Sequence, residues 1–246
     1  MDRPISRITG GVESVSRSLF GIFATLLIFG AAMGVLEAAV VVYMREFWYP
    51  AGFGFPTAEI PADILAVEIW REAATLVMLG AVAFLAGKRF FDRFLYFLFT
   101  FGIWDIVYYV GLKLFVGWPP SLFTWDVLFL IPVTWVGPVL APVLCSFTMI
   151  VMSLTLVTLE ENGHPVRTGP LEVGLLIAGA LMIFAAFVWD FTAMLVASGF
   201  SAGSDVFAEA VGNYVPESFH WGLFLLGEAL VIAFVVLSIR NSRRLI

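Results

Sequence analysis

Three charged residues within five positions, Glu68, Arg71 and Glu72, lie inside an apolar run from residue 62 to residue 87. The run is long enough to cross a bilayer as a helix. At spacings of three and four residues, the three side chains share one face of that helix. A charge at the centre of a membrane helix costs roughly 2.5–3.5 kcal/mol on an insertion scale. We therefore expect this face to point toward polar partners inside a helical bundle.

A carboxylate on the preceding apolar run is the best candidate partner. Glu37 follows the GxxxG pattern of Gly30 and Gly34, and it lies on the same close-packing face. We expect that face to pack against another helix of this chain. The spacing then predicts a contact between Glu37 and Arg71, with Arg71 also bonded to Glu68 or to a backbone carbonyl.

Further polar residues interrupt the later apolar runs. Asp105, Tyr108, Tyr109 and Lys113 follow helical spacing and form one polar stripe. Lys113, at the end of this stripe, and Asp126 are predicted at the membrane rim. At the helical rise per residue, the embedded charges fall in the outer half of the membrane or at its midplane. The predicted binding residues are Glu37, Glu68, Arg71, Glu72, Asp105, Tyr108, Tyr109, Asp190, His220 and Glu228.

The embedded charges do not balance. Six intramembrane carboxylates face one embedded arginine, Arg71, and one lysine at the rim, Lys113. Purely structural pairing is one interpretation, in which Lys113 answers Asp105 or Asp126. The remaining carboxylates would still have to be protonated, hydrated or bound to a cation. We interpret the excess as an acidic, tryptophan-lined cavity that opens to the extracytoplasmic side.

The composition of the chain predicts a single membrane domain. Of 246 residues, 61% are hydrophobic and 13% are charged, whereas soluble domains are about 25% charged. The net charge of −6 does not point to nucleic acid as a partner. The single cysteine, Cys145, excludes an intramolecular disulfide, and no cysteine or histidine motif predicts a metal or haem, so we expect no cofactor. The predicted partners are the bilayer, a small molecule, cation or lipid in the cavity, and other membrane proteins.

Six apolar runs predict an all-α bundle of six transmembrane helices. They cover residues 19–44, 62–87, 94–116, 132–159, 171–198 and 217–238. Residues 121–130 predict a short interfacial helix between the third and fourth spans, and Pro138 and Pro142 predict a kink in the fourth. The chain divides into a polar N-terminal segment (1–18), the six-helix domain (19–239) and a basic tail (240–246).

The distribution of lysine and arginine predicts the orientation. Ten of the thirteen fall in the N-terminus, the loops after spans two and four, and the C-terminus. By the positive-inside rule these segments are cytoplasmic. We therefore expect a multi-pass protein of the cytoplasmic (inner) membrane of a bacterium or archaeon, with both termini inside.

Three functions are compatible with this pattern. The first is binding or transport of a small cation, a proton-coupled solute or an amphipathic molecule at the acidic cavity. The second is an intramembrane enzyme that acts on a lipid or isoprenoid substrate with carboxylates as acid and base. The third is a non-catalytic subunit of a membrane complex. A transporter would need a second polar pathway through the inner half of the membrane, where the sequence is almost entirely apolar. An enzyme would need only one opening through which the substrate enters the cavity.

Overall fold

Six long helices and one β-hairpin make up the residues that the computed structural model describes, which are 18–58, 60–166, 168–198 and 212–243. In chain order the elements are α1 (Leu19–Trp48), α2 (Ala62–Ala86), α3 (Phe90–Val116), β1 (Trp125–Phe129), β2 (Trp135–Pro138), α4 (Leu140–Glu161), α5 (Pro170–Ala197) and α6 (Trp221–Arg243). All six helices are long and apolar enough to cross a membrane, as predicted. The predicted N-terminal segment, except Ser18, and the last residues of the tail lie outside the described residues.

Local capping explains where several helices begin. The Ser18 hydroxyl accepts a hydrogen bond from the backbone N–H of Gly21 (3.1 Å) at the start of α1. At α5, Pro170 occupies the first turn and Glu172 accepts from the Gly169 N–H (2.9 Å). These caps satisfy N–H groups that have no partner within the helix.

The segment between α3 and α4 differs from the prediction. Residues 121–130 do not form an interfacial helix, because β1 and β2 pair as an antiparallel hairpin in which Trp125 lies opposite Pro138. The aromatic and β-branched residues of this segment favour pleated strands over helix. The fourth helix consequently begins at Leu140 rather than at residue 132.

The two prolines predicted to kink the fourth span have other roles. Pro138 is the last residue of β2, where the end of the hairpin tolerates a missing N–H. Pro142 lies in the first turn of α4, where the backbone N–H would have no partner within the helix. Neither proline therefore interrupts a helix interior.

The hairpin turns back into the bundle. At its tip, the backbone N–H of Leu130 donates to the Glu72 carboxylate (2.9 Å), and Glu72 lies about 15 Å along α2 from its first residue. Phe129 packs against Trp104 of α3, with ring centroids 5.9 Å apart, and Trp135 packs against α5. Irregular backbone at membrane depth requires cover from protein or a polar cavity, and the helices around the hairpin supply that cover.

The glycine face of α1 packs on α3, as predicted. A Cβ added to Gly34 would lie 2.5 Å from the carbonyl oxygen of Trp104, and one added to Gly30 would lie 2.9 Å from that of Thr100. The two helices can approach this closely only because neither position carries a side chain. The contact turns Glu37 toward the interior, where its side chain is about 10% exposed.

The two halves of the bundle are packed differently. Away from the hairpin, all six helices contribute to one apolar cluster, which includes Leu26, Ala83, Leu95, Leu156, Leu175 and Phe234. Leu19 and Ile239 pack on this same cluster, so α1 begins and α6 ends at one end of the bundle, called here the opposite end. At the other, hairpin end, the apolar residues of the described chain divide into smaller clusters separated by the hairpin and a cavity.

Candidate functional site

A cavity of about 710 Å³ occupies the hairpin half of the bundle. Its walls are formed by α1, α2, α3, the hairpin and the segment that joins α1 to α2, with contributions from Phe191 and Tyr214. Seven of the ten predicted binding residues line it: Glu37, Glu68, Arg71, Glu72, Asp105, Tyr108 and Tyr109. Its volume lies within the range of small-molecule sites.

Arg71 joins α1 to α2 inside this cavity. Its guanidinium contacts Glu37 of α1 and Glu68 one turn earlier on α2, and its Nε donates to Glu68 at 2.8 Å. Both predicted contacts of Arg71 are therefore confirmed. The Glu37 and Glu68 side chains are only 10% and 13% exposed, so loss of the guanidinium would strand two largely buried carboxylates.

Two other carboxylates in the lining lack a cationic partner among the described residues. Both oxygens of Glu72 face the Leu130 N–H, at 3.2 and 2.9 Å. Asp105 accepts a hydrogen bond from the Ser146 hydroxyl of α4 (2.8 Å). Both residues are buried, and in surroundings of low dielectric a neutral donor compensates a carboxylate charge less than a cation does.

A second arginine–carboxylate pair was not among the predicted binding residues. Arg45, at the end of α1, contacts Asp126 of β1 (3.2 Å), and the Tyr109 hydroxyl donates to the same carboxylate (3.2 Å). The guanidinium lies over the rings of both Phe53 and Trp118, 4.3 and 3.9 Å from their centroids. Burial raises the pKa of Asp126 to about 6, while the Arg45 charge opposes that rise.

The sequence contains a signal for Arg45. Glu37, Val41 and Arg45 recur at intervals of four residues, so they follow one face of α1, and all three line the cavity. Asp126 carries no comparable signal. Interpreting its segment as a helix predicts Asp126 at the membrane rim. In the structure the hairpin buries it, and its side chain is only 1% exposed.

Aromatic side chains form much of the remaining wall, but among the described lining residues they are tyrosine and phenylalanine apart from Trp104, so the prediction of a tryptophan-lined cavity is wrong. Tyr108 packs edge-on against Tyr109, with centroids 4.9 Å apart. The segment after α1 contributes Tyr49 and Phe53, whose rings lie 5.0 Å apart, and the Tyr49 hydroxyl accepts from the Ala58 N–H (3.1 Å). Aromatic faces present partial negative charge, so this wall complements the carboxylates in attracting cations.

The other three predicted binding residues do not line the cavity. Asp190 accepts a hydrogen bond from the Tyr214 hydroxyl (2.9 Å), so it contacts a lining residue without lining the cavity itself. Glu228 accepts from Thr148 of α4 (2.7 Å).

Neither His220 nor Lys113 lines the cavity. His220 packs against Trp189, with ring centroids 5.3 Å apart. The Lys113 ammonium donates to the carbonyls of Gly117 and Pro119, at 3.1 and 2.9 Å. Lys113 therefore caps the end of α3, whereas the purely structural interpretation of the sequence paired it with Asp105 or Asp126.

Acidic side chains outnumber basic side chains in the lining of the cavity. Its lining holds five carboxyl groups, from Glu37, Glu68, Glu72, Asp105 and Asp126, and two guanidiniums, from Arg45 and Arg71. Both guanidiniums already contact carboxylates. Across the described residues, no group of three or more histidine, cysteine, aspartate or glutamate side chains has the geometry to hold a metal ion. The arrangement can accept hydrogen bonds and attract a positive charge.

No protein-family model, curated protein or solved structure matches this chain. The functional argument therefore depends on the geometry of the site itself.

Proposed function

We propose that the protein binds an amphipathic molecule with a cationic head group in the cavity at the hairpin end. The observation that carries this proposal is the lining, in which five carboxyl groups face two arginines that are already paired. A bound cation next to Glu72 or Asp105 supplies the positive charge that these carboxylates lack. Nearby tyrosine rings add favourable cation–π contacts.

The remaining walls support an apolar part in the same ligand. Leucine, valine, phenylalanine and isoleucine side chains line the cavity between its polar groups, among them Val41, Leu65, Val127, Leu128 and Phe191. Sites of this kind use a few polar groups for orientation and apolar surface for affinity. A simple hydrated cation would leave most of this surface unused.

The packing of the opposite half favours binding over transport by alternating access. A transporter would need a polar pathway toward the opposite end, but apolar residues from all six helices fill that region. The same closed end is compatible with the alternative of an intramembrane enzyme on a lipid or isoprenoid substrate, which needs a single mouth. In that case Glu72 and Asp105 are the candidate acid and base. Convergence of the carboxylates toward one cavity argues against a purely structural subunit.

The proposed orientation places the hairpin end outside the cytoplasm. Lysine and arginine concentrate in the sequence before α1, after α2, after α4 and after α6. Because α1 begins and α6 ends away from the hairpin, the cavity would face the extracytoplasmic half of the inner membrane. Single cysteines at positions 208 and 243 in a Cys145→Ala background test this topology with a membrane-impermeant maleimide. In intact cells we expect labelling of the cysteine at position 208 and none at position 243. Labelling at position 243 alone would indicate the opposite orientation.

Paired ligands of opposite charge test the binding proposal. Hexyltrimethylammonium and hexanesulfonate share an apolar chain but carry opposite charges. Calorimetry on the protein in nanodiscs, with empty nanodiscs as a blank, compares their affinities directly. We expect saturable binding of the cation and binding of the anion weaker by about tenfold or more. Equal affinity for the two would contradict the proposal.

Carboxylate variants locate the binding site. Glu72→Gln and Asp105→Asn should each weaken binding of the cation, by about tenfold. Glu228→Gln is the matched control, because Glu228 is equally buried but does not line the cavity. The cavity would not be the site if Glu228→Gln had the same effect as the other two variants.

A further inference from the structure

A shallow groove of about 460 Å³ lies on the outside of the bundle between α1 and α2. It is lined by Val40, Tyr43, Met44, Phe47, Trp48 and Ile64, none of which is charged. Tyr43 is 66% exposed and Phe47 is 80% exposed. Because both helices are candidate membrane spans, lipid chains would contact the exposed apolar residues of this groove.

The groove and the cavity share one side chain. Met44 lines both, whereas Val41 and Arg45 on either side of it line only the cavity. On α2 the boundary falls between adjacent residues, because Ile64 lines the groove and Leu65 lines the cavity. A single layer of side chains therefore separates the acidic interior from lipid. Its central member is methionine, whose unbranched side chain changes conformation easily.

The packing of the helices explains why the groove lies at this position. Both α1 and α2 pack mainly on α3 and contact each other much less. Their ionic contact, between Glu37 and Arg71, lies deeper in the bundle than the groove. Between that ion pair and the hairpin end the two helices leave a slot. Its length along α1, from Val40 to Trp48, is about 12 Å.

We propose that a membrane-borne amphiphile enters the cavity sideways through this slot, with its cationic head inside and its linear alkyl chain in the groove past Met44. This inference rests on the proposed function, and it adds the source of the ligand and the position of its chain. A chain is the occupant that the geometry fits, because the groove is apolar and only the layer of side chains around Met44 separates it from the polar cavity. A transmembrane helix of a partner could cover the groove but could not extend past Met44 into the cavity.

A photoreactive probe tests the position of the chain. A dodecyltrimethylammonium analogue with a diazirine midway along its chain is irradiated with the full-length protein in nanodiscs, and the labelled residues are mapped by mass spectrometry. We expect labelling between Val40 and Trp48 that an excess of unmodified dodecyltrimethylammonium removes. Labelling spread evenly over lipid-facing helix surfaces would overturn the inference.

Substitutions that fill the groove provide the second arm. Val40→Trp, or Ile64→Trp from the other wall, should reduce specific labelling and weaken binding of the long chain by about tenfold, with a much smaller effect on hexyltrimethylammonium. Val77→Trp is the matched control, since Val77 is 70% exposed on α2 outside the groove. Equal effects of the groove variants and Val77→Trp would also overturn the inference.

Binding of hexyltrimethylammonium distinguishes the failure of lateral entry from the failure of the proposed function. If hexyltrimethylammonium binds and depends on Glu72 while the probe does not label the groove, lateral entry is wrong and the cavity function stands. If neither cation binds saturably, the proposed function fails, and the lateral entry that depends on it fails as well.

Discussion

Two arginines at the two ends of the bundle form the same pattern of contacts in different surroundings. At the hairpin end, Arg71 contacts Glu68 three residues before it and Glu37 on a neighbouring helix. At the opposite end, Arg89 contacts Asp92 three residues after it and Glu160 on a neighbouring helix. The Arg71 side chain is 22% exposed, whereas that of Arg89 is 63% exposed.

Because the two guanidiniums differ in burial, their contacts have different roles. Arg71 pairs with carboxylates inside the bundle, whereas Arg89 links the ends of two helices at the surface. The side chains of Asp92 and Glu160 are themselves only 17% and 10% exposed. The Arg89 guanidinium is well hydrated, however, and water can reach both carboxylates along it, so its pairs contribute little net stability. The carboxylates around Arg71 are largely desolvated and depend on the guanidinium. The same contrast extends to the two halves, since apolar packing fills the opposite half and the hairpin half encloses polar groups.

The largest expected effect comes from replacing these two arginines. Arg71→Leu should lower the free energy of unfolding by about 3–5 kcal/mol, because Glu37 and Glu68 lose their shared cation. Arg89→Leu should change it by at most about 1 kcal/mol. Denaturant unfolding of the purified protein in mild detergent measures both.

Two further variants test whether charge causes the Arg71 effect. Arg71→Lys should be much milder than Arg71→Leu, and adding Glu37→Gln to Arg71→Leu should recover part of the loss. If the double variant is as unstable as the sum of the single variants, Glu37 and Arg71 are not coupled.

Leucine truncation compares the filled half with the half that holds the cavity. Leu156 is fully buried in the apolar cluster of the opposite half, so Leu156→Ala should cost about 2–5 kcal/mol. Leu65 is 38% exposed and lines the cavity, so Leu65→Ala should cost only about 0.5 kcal/mol. Equal losses of stability would show that the cavity half is as tightly packed as the other.

Glycine substitutions test the helix contact that carries Glu37 into the interior. Gly34→Ala should destabilise the protein by about 1–3 kcal/mol, because the new methyl group would meet the Trp104 carbonyl. At Gly80 an added Cβ has nothing within 4 Å. Gly80→Ala should therefore stabilise α2 by about 0.5–1 kcal/mol. Melting temperatures that move in the same direction for both variants would contradict this assignment.

The smallest expected difference involves two buried serines of α4. Ser146 donates to the cavity residue Asp105 (2.8 Å), whereas Ser153 donates to the Met149 carbonyl of its own helix (2.8 Å). Ser146→Ala should cost about 1–2 kcal/mol and change binding of the cation, since a buried carboxyl group loses its donor. Ser153→Ala should cost a few tenths of a kcal/mol and leave binding unchanged. A ligand titration of both variants distinguishes the two roles.

Periodicity and charge in the sequence alone determined the six helices and the contact of Arg71 with Glu37 and Glu68. Long apolar runs can satisfy their backbone in a membrane only as helices, and spacings of three and four residues place side chains on one helix face. The same spacing predicted Asp105, Tyr108, Tyr109 and Lys113 as one stripe, of which all but Lys113 line the cavity. Apart from the contact between Glu37 and Arg71, these features are local in sequence, so local rules were sufficient. That one contact was predicted because a charge inside the membrane needs a partner.

Only the tertiary structure decided which carboxylates share the cavity. Glu228 and Asp190 resemble Glu72 and Asp105 in sequence, yet neither lines the cavity, because its walls are formed mainly by α1 to α3 and the hairpin. The hairpin itself is ambiguous in sequence, since a short apolar run with aromatic residues is compatible with either helix or strand. Its fold buries Asp126 beside Arg45 and brings the Leu130 N–H to Glu72. Contacts between residues so distant in sequence depend on how the helices and the hairpin pack in three dimensions.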